Sequence, residues 1–432
     1  MAHRASSSLR HPKLPTGKQR QHLKHLLLFI ALVLALTPAS VYLLKNAPAT
    51  INRLSSYLQQ LATRPAPVVK KEEPANFFSI ASSLLATADD SGEKLTATTA
   101  TGLLLNYSVN SALQKRVHDF MASYQVPYGV FVAIEPATGR ILAMTAHSAV
   151  DPNWGTGAPF DLYPMASLFK IITASAALEQ KKITPASVIE FRGNSYSENP
   201  RYWETNPRGG NNKMNVTFAM GKSINPLYGR LAGEIAGKTS VMECVNRFGF
   251  NQTLLPGVPV KKSQAAEPQS NHGLMLMGAG LDHEVKISPL HAASIMASIA
   301  NGGTMMLPSL TDSISDKSGS VQEQFKAREL RRLVSPETAQ SLTTMLSSTV
   351  TQGTSRRAFH DRRGRPLVNV AVAAKTGSIN GTDPRGYYSW FAAFAPIEKP
   401  EIALVALVIN QDKWRIKSSQ VGAQALEEFF SR

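Results

Sequence analysis

A chain of 432 residues with 43% hydrophobic and 18% charged residues has the length and apolar content of one large or two medium folded domains, which excludes collagen-like, low-complexity and multi-spanning membrane proteins. A single cysteine, Cys244, excludes an intramolecular disulfide framework and any multi-cysteine metal site, and its setting in VMECVNRFGF reads as a buried, inert thiol. The net charge of +16 is partly terminal: Arg4, Arg10, Lys13, Lys18, Arg20 and Lys24 have no acid among them. The remaining cations show no zinc-finger spacing, aromatic RNP block or basic helix, so no nucleic-acid partner is expected.

Residues 1–25 form a basic tail. Residues 26–44, LLLFIALVLALTPASVYLL, carry no formal charge, and at about 1.5 Å per residue a helix of this length crosses the roughly 30 Å hydrocarbon core. The cations before it predict a cytoplasmic N-terminus, with everything after Lys45 outside. Small residues at 37–40 also fit a cleaved signal peptide, but the long apolar run and long basic lead favour an uncleaved single-pass anchor. Residues 45–102 are rich in Ala, Ser, Thr and Pro around RPAPVVKKEEP and predict a stalk or linker with at most one short amphipathic helix.

A compact domain is expected over 103–432. LQKRVHDFMASY has helical spacing, and VFVAIEPATGRILAMTA reads as two strands joined by a Pro-Ala-Thr-Gly turn. Helical runs follow at 167–182, between 216 and 250, and at 289–300. Three strand-like runs, VNVAVAAKTGS, YYSWFAAFAP and EIALVALVIN, precede a final helix near 420–430. Strands, then helices, then strands predict an α+β domain in which the first hairpin and the last strands share one antiparallel sheet packed against helices.

Ser167-Leu168-Phe169-Lys170 opens an apolar helix-like run, and a spacing of three places hydroxyl and amine on one helical face. Lys170 can act as the base for Ser167 if burial and a neighbouring cation lower its pKa. Ser91-Gly92-Glu93-Lys94 has the same spacing but lies in the polar stalk. Of the Ser-x-Asn matches, Ser223-Ile224-Asn225 is favoured because Ser223 is expected to open an apolar helix. Ser108-Val109-Asn110, Ser197-Glu198-Asn199 and Ser378-Ile379-Asn380 lack that setting. Lys375-Thr376-Gly377-Ser378 follows the strand-like VNVAVAA and is expected at a sheet edge. There a lysine gives fixed charge, the Thr376 and Ser378 hydroxyls can bind a carboxylate, and Gly377 lets a ligand approach the backbone.

The order of these motifs resembles the penicillin-binding proteins and their serine β-lactamase relatives. ISPLHAASIMASIANGGTMMLPSL and MLSSTVTQGTSRRA are similar to further family segments, so the resemblance covers about residues 103–432. It implies the penicillin-binding transpeptidase fold and acyl transfer on D-Ala-D-Ala peptides, with Ser167 as nucleophile and an acceptor amine or water resolving the ester. By the same resemblance Lys170 is the acylation base, Ser223 and Asn225 the relay and clamp, and Lys375, Thr376 and Ser378 hold the terminal carboxylate beside Gly377. The Ser167 and Ser378 N–H groups would form the oxyanion hole. Peptidoglycan stem peptides are the implied substrates and β-lactams the implied inhibitors. No metal or cofactor is implied, and the implied location is the bacterial cytoplasmic membrane with an extracytoplasmic catalytic domain. A glycan polymerase or proteins of cell division or elongation are candidate partners.

The short segment between anchor and domain leaves no room for the glycosyltransferase or pedestal of larger members. A D,D-carboxypeptidase, a β-lactamase and a non-turnover penicillin-binding sensor or scaffold are the competing readings. Glu190…Asn194, the match to the deacylating segment of class A lactamases, precedes Ser223, which is the wrong order. His283-Glu284 lacks the second histidine of a zinc hydrolase motif. Trp154, Trp203 and Trp390 are read as packing residues, and the arginines at 356, 357, 362, 363 and 365 as a solvated loop.

Overall fold

The computed structural model describes residues 21, 22, 24–32 and 77–431. Two compact units divide the chain, Met1–Ala75 and Asn76–Arg432. In the first, residues 24–32 are helical, with Leu26, Leu27, Leu28 and Phe29 exposed. The rest of the expected span at 26–44, and the expected stalk up to residue 76, lie outside the described residues. No helix among the described residues is long and apolar enough to cross a membrane.

The second unit is built on a five-stranded antiparallel sheet. Its strands are β1 (Tyr128–Ile134), β2 (Ile141–His147), β3 (Ala373–Thr382), β4 (Arg385–Ala395) and β5 (Ile402–Asn410). They run β3-β4-β5-β1-β2 across the sheet, so the first hairpin and the last strands do share one sheet. Around it lie α1 (Phe77–Leu84), α2 (Ser111–Ser123), α3 (Lys170–Glu179), α4 (Val216–Lys222), α5 (Asn225–Arg230), α6 (Lys238–Arg247), α7 (Asn271–Ala279), α8 (Pro289–Ala300), α9 (Pro336–Thr351), α10 (Arg356–Phe359) and α11 (Ser418–Phe430). Side-chain caps and proline set several of their starts. Asn110 accepts from the Leu113 N–H, and Ser288 and Ser335 each cap a helix whose first residue is proline.

The unbroken apolar run of β5 follows from its position in the middle of the sheet, covered on both faces. Ile402, Leu404, Ala406 and Val408 pack with Leu113, Val117 and Met121 of α2 and Val421, Ala425 and Leu426 of α11. Ala403, Val405, Leu407 and Ile409 join the larger core, which includes Leu290, Ala293 and Ile299 of α8. The alternation is the two-residue period of a strand acting on a sequence with no polar position to spare.

Residues 77–102, read from the sequence as stalk, belong to this folded unit. Ala81, Leu85 and Leu95 are buried in the larger core, and the Tyr107 hydroxyl donates to the Ala81 carbonyl at 2.8 Å. Strand Thr96–Thr98 pairs with Leu104–Tyr107, which pairs in turn with Thr311–Ser315. Those apolar residues are too sparse to show a period, and their partners lie far along the chain. The strand expected at VNVAVAA also shifts. It begins at Ala373, so the Lys-Thr-Gly motif lies inside edge strand β3, while Val368 and Val372 serve as core plugs.

Helices α4 and α9 touch backbone to backbone at Gly221. A methyl group there would lie 2.4 Å from Ser348 Oγ and 2.7 Å from the Ser348 carbonyl oxygen. Gly221→Ala is therefore expected to destabilise the full chain by about 2 kcal/mol. Gly155→Ala, whose methyl would meet Ala146 Cβ at an ordinary 3.6 Å, should stay within about 0.5 kcal/mol of the parent. Urea unfolding monitored by circular dichroism distinguishes the two.

Candidate active site

Ser167 lies in a single 3₁₀ turn, Ala166–Phe169, and Lys170 is the first residue of α3. The continuous helix expected from Ser167 is thus a tighter turn feeding an α-helix. Ala166 takes a positive φ of 52°, a sparsely populated conformation for a side-chain-bearing residue that surrounding structure must impose. Gly280, at the C-terminal cap of α7, supplies part of that structure. A methyl group on it would lie 2.2 Å from the Ala166 carbonyl oxygen and 2.7 Å from Ser167 Cα. On the other side passes β3, where a Gly377 Cβ would meet Ala166 Cβ at 3.2 Å and the Ser167 nitrogen at 3.4 Å. Two glycines therefore grip the serine turn.

Lys170 is fully buried. Its Nζ lies 2.7 Å from Ser167 Oγ and 2.9 Å from Asn225 Oδ1, and it also donates to the Ala279 carbonyl at the end of α7. Two of these partners only accept, whereas the serine hydroxyl can also donate. A neutral amine placed here keeps N–H bonds to Asn225 and Ala279 and turns its lone pair to the Ser167 proton.

Ser223-Ile224-Asn225 forms the joint between two helices. Ser223 does not open a helix, as the sequence suggested, but ends α4 with φ 57° and ψ 45°, and α5 begins at Asn225. This left-handed residue reverses the chain so that hydroxyl and carboxamide both reach the site. Lys375 Nζ donates to Ser223 Oγ at 2.9 Å and to the Thr376 carbonyl at 2.7 Å. Lys170 thus joins Ser167 and Asn225 in one hydrogen-bonded group and Lys375 holds Ser223 in a second, and among the described residues neither lysine bonds to a carboxylate.

The electrostatics follow from that omission. Burial, and then the charge of Lys375, hold the Lys170 amine well below its ordinary value. Burial alone brings Lys375 down to about 7. A buried cation without an anion favours the neutral form.

Thr376, Ser378 and Asn380 alternate along β3, partly or fully exposed, and form a polar row on the sheet's free edge. Thr376 and Ser378 were anticipated from the motif. Thr354 was not: its Oγ1 lies 2.6 Å from Thr376 Oγ1. Ala279 and Gly280 were missed as well, because HGLMLMGAG reads as an ordinary helix with a glycine cap.

The alternative motif matches have local duties. Ser91 is exposed, with its N–H on Asp89. Ser108 donates to the Ile141 carbonyl, and Ser197 accepts from the Trp203 indole. The Glu190 carboxylate binds Lys213 and Asn211. Trp203 and Trp390 are fully buried, and the Trp390 indole donates to the Pro164 carbonyl at 2.8 Å, just ahead of the serine turn. The five arginines near 360 are exposed, and Cys244 is buried, its thiol pKa raised by that burial.

An antiparallel sheet edge faces a buried Ser–Lys pair, the arrangement that a lysine-activated serine nucleophile requires. Residues 129–430 match the family model of the penicillin binding protein transpeptidase domain, and the chain belongs to that family. Among curated proteins it is 29% identical over 338 residues to the peptidoglycan D,D-transpeptidase PbpA of Mycobacterium tuberculosis, covering 70% of this chain and 66% of the relative. It is 24% identical to the stage V sporulation protein D of Bacillus subtilis, covering 71% and 49%. The chain thus covers less than two thirds of these relatives' own length. The solved structure of penicillin-binding protein A from M. tuberculosis as a penicillin G acyl-enzyme complex aligns with a TM-score of 0.60 and 25% identity, covering 75% of this chain and 80% of that one. A D,D-transpeptidase domain from Eggerthella lenta aligns with a TM-score of 0.63 and 22% identity, covering 76% and 82%.

The lowered amine values carry a stability consequence. Lys375 titrates near 7 when folded, against an ordinary 10.5, so between these pH values the unfolded chain holds more protons and stability rises with pH. Below 7 the destabilisation is fully present. Lys375→Met is therefore expected to melt at a higher temperature than the parent at pH 6, with a flatter dependence of Tm on pH. Scanning calorimetry checks this, and a lower Tm for the variant at pH 6 would refute it.

Proposed function

We propose that this chain is a membrane-anchored serine D,D-transpeptidase that cross-links peptidoglycan stem peptides through an acyl-enzyme on Ser167. The observation that carries this reading is the 2.7 Å contact between Lys170 Nζ and Ser167 Oγ, made by an amine with no anionic partner among the described residues. The Ser167 oxygen attacks the carbonyl carbon of the penultimate D-alanine as its proton passes to Lys170. Ser223, held by Lys375, then relays a proton to the departing D-alanine nitrogen. Asn225 keeps Lys170 aimed and offers its amide to the peptide. Gly377 lets the peptide lie along β3, where Thr376 and Ser378 receive its terminal carboxylate. The N–H groups of Ser167 and Ser378 face the developing oxyanion, each such donor being worth on the order of 3 kcal/mol. The amine of a second stem peptide takes the acyl group, and no metal or cofactor enters any step. β-Lactams, which carry a strained amide beside a carboxylate, occupy the same places and acylate Ser167.

The uncharged stretch 26–44 behind a basic tail supports a single-pass anchor in the bacterial cytoplasmic membrane, with the catalytic domain outside. Cross-linking consumes stem peptides on nascent strands, so a glycan polymerase, or the division or elongation proteins that accompany one, is the partner this chemistry calls for.

Intact-protein mass spectrometry with benzylpenicillin tests the reading. A stoichiometric adduct that persists for hours, and is absent in Ser167→Ala, is the expected result. Clearance within seconds would identify a β-lactamase instead. With a D-Ala-D-Ala pentapeptide substrate, cross-linked dimer is expected, and D-alanine release without dimer would mark a carboxypeptidase. The acylation rate should be bell-shaped in pH. It rises as Lys170 loses its proton and falls as Lys375, near 7, loses the charge that aims Ser223 and attracts the carboxylate.

A further inference from the structure

Thr354 lies outside all three motifs, yet the chain on both sides of it is fixed. Its N–H donates to the Gly221 carbonyl at 3.0 Å, and the next residue, Ser355, donates from its N–H to the Thr349 carbonyl at 3.1 Å. Gly353 is pressed against the same Gly221 carbonyl, where an added Cβ would lie at 2.2 Å. Ser355 is buried, but Thr354 itself is exposed. Its Oγ1 is 2.6 Å from Thr376 Oγ1. A rigid backbone therefore holds one hydroxyl against another at the open edge of the site.

A threonine hydroxyl has a single proton and two acceptor positions. Within the pair one oxygen donates and the other accepts. A carboxylate arriving at the edge is a stronger acceptor than a hydroxyl, because charge-assisted bonds are roughly twice as strong as neutral ones. It draws the Thr376 proton, and Thr354 then fills the vacated role by donating into the Thr376 oxygen. A chain of donors running one way polarises each member, so the second hydroxyl strengthens the first and fixes its direction.

We propose that Thr354 is a positioning residue for ligand carboxylates, acting through Thr376 and making the site selective for peptides and inhibitors that end in a free carboxylate. This rests on the reading of the site given under the proposed function. The two stand or fall on different measurements.

The test compares acylation of the full chain by benzylpenicillin and by its methyl ester, which lacks the negative charge. Thr354→Val keeps the branched shape and removes the hydroxyl. It is expected to slow benzylpenicillin acylation about five- to tenfold, through weaker binding at unchanged limiting rate, while leaving the ester almost unaffected. Thr354→Ser should restore discrimination between acid and ester. In a double-mutant cycle, Thr354→Val should cost nothing further once Thr376→Val is present. Equal losses on acid and ester, or losses that add across the cycle, would overturn the proposal, as would no loss at all. If Thr354→Val does not fold, the acid-to-ester ratio of Thr354→Ala decides by the same criterion. A parent chain that benzylpenicillin does not acylate would instead overturn the reading of the site on which the proposal rests.

Discussion

The site depends on a lysine kept where a charge is costly. Lys170 is fully buried, in a stretch where Phe169, Ile171 and Ile172 are buried as well, and its amine meets only neutral acceptors and a hydroxyl. An isolated ammonium in such a place loses much of its hydration, so burial holds the amine well below its ordinary value and favours the neutral form that a base requires. Replacing Asn225 by an aspartate would hold the proton on Lys170 and remove its basicity. The neutral amide keeps the amine in place without restoring its proton, so orientation and basicity are separated in a single contact.

Placement of that lysine follows from contacts that leave no space. The serine turn is gripped by Gly280 and Gly377, and the Ser223 joint is braced through Gly221 against Ser348 and Gly353. Side chains at these points would force backbone apart, whereas glycine lets one element set the position of the next. The left-handed conformations at Ala166 and Ser223 persist because neighbours over-determine them. Local strain beside Ser167 and at Ser223 is thus held by the packing of α4, α7, α9 and β3.

The strongly patterned parts of the structure were legible in the sequence. The apolar run EIALVALVIN and the hairpin around Pro-Ala-Thr-Gly announced the sheet, and the order of Ser167-x-x-Lys170, Ser223-x-Asn225 and Lys375-Thr376-Gly377 pointed to the cluster that the fold brings together. What escaped the sequence depends on contacts between distant segments. Ala279 takes part only through a carbonyl, which every residue possesses. Thr354 sits in a polar stretch where a hydroxyl attracts no notice, and only the closure of α9 onto α4 brings it to Thr376. Ala81, Leu85 and Leu95 resembled linker residues because their partners lie in other parts of the chain. Ser223 was chosen because it was expected to open a helix, whereas it ends one and gains its reach from the turn that follows.

The strand order has one further consequence. The opening hairpin is not completed by the segment that follows it: Val130 of β1 pairs with Leu407 of β5, and the helices and the catalytic turn lie between them in the chain. Loop-closure entropy must be overcome before these long-range contacts stabilise anything. During synthesis the hairpin therefore presents an unpaired strand edge until nearly the last residues emerge. Loss of a short C-terminal piece, though remote from Ser167 in sequence, would leave β1 without its neighbour and α2 without α11. The active site thus becomes complete only when the two ends of the domain have met.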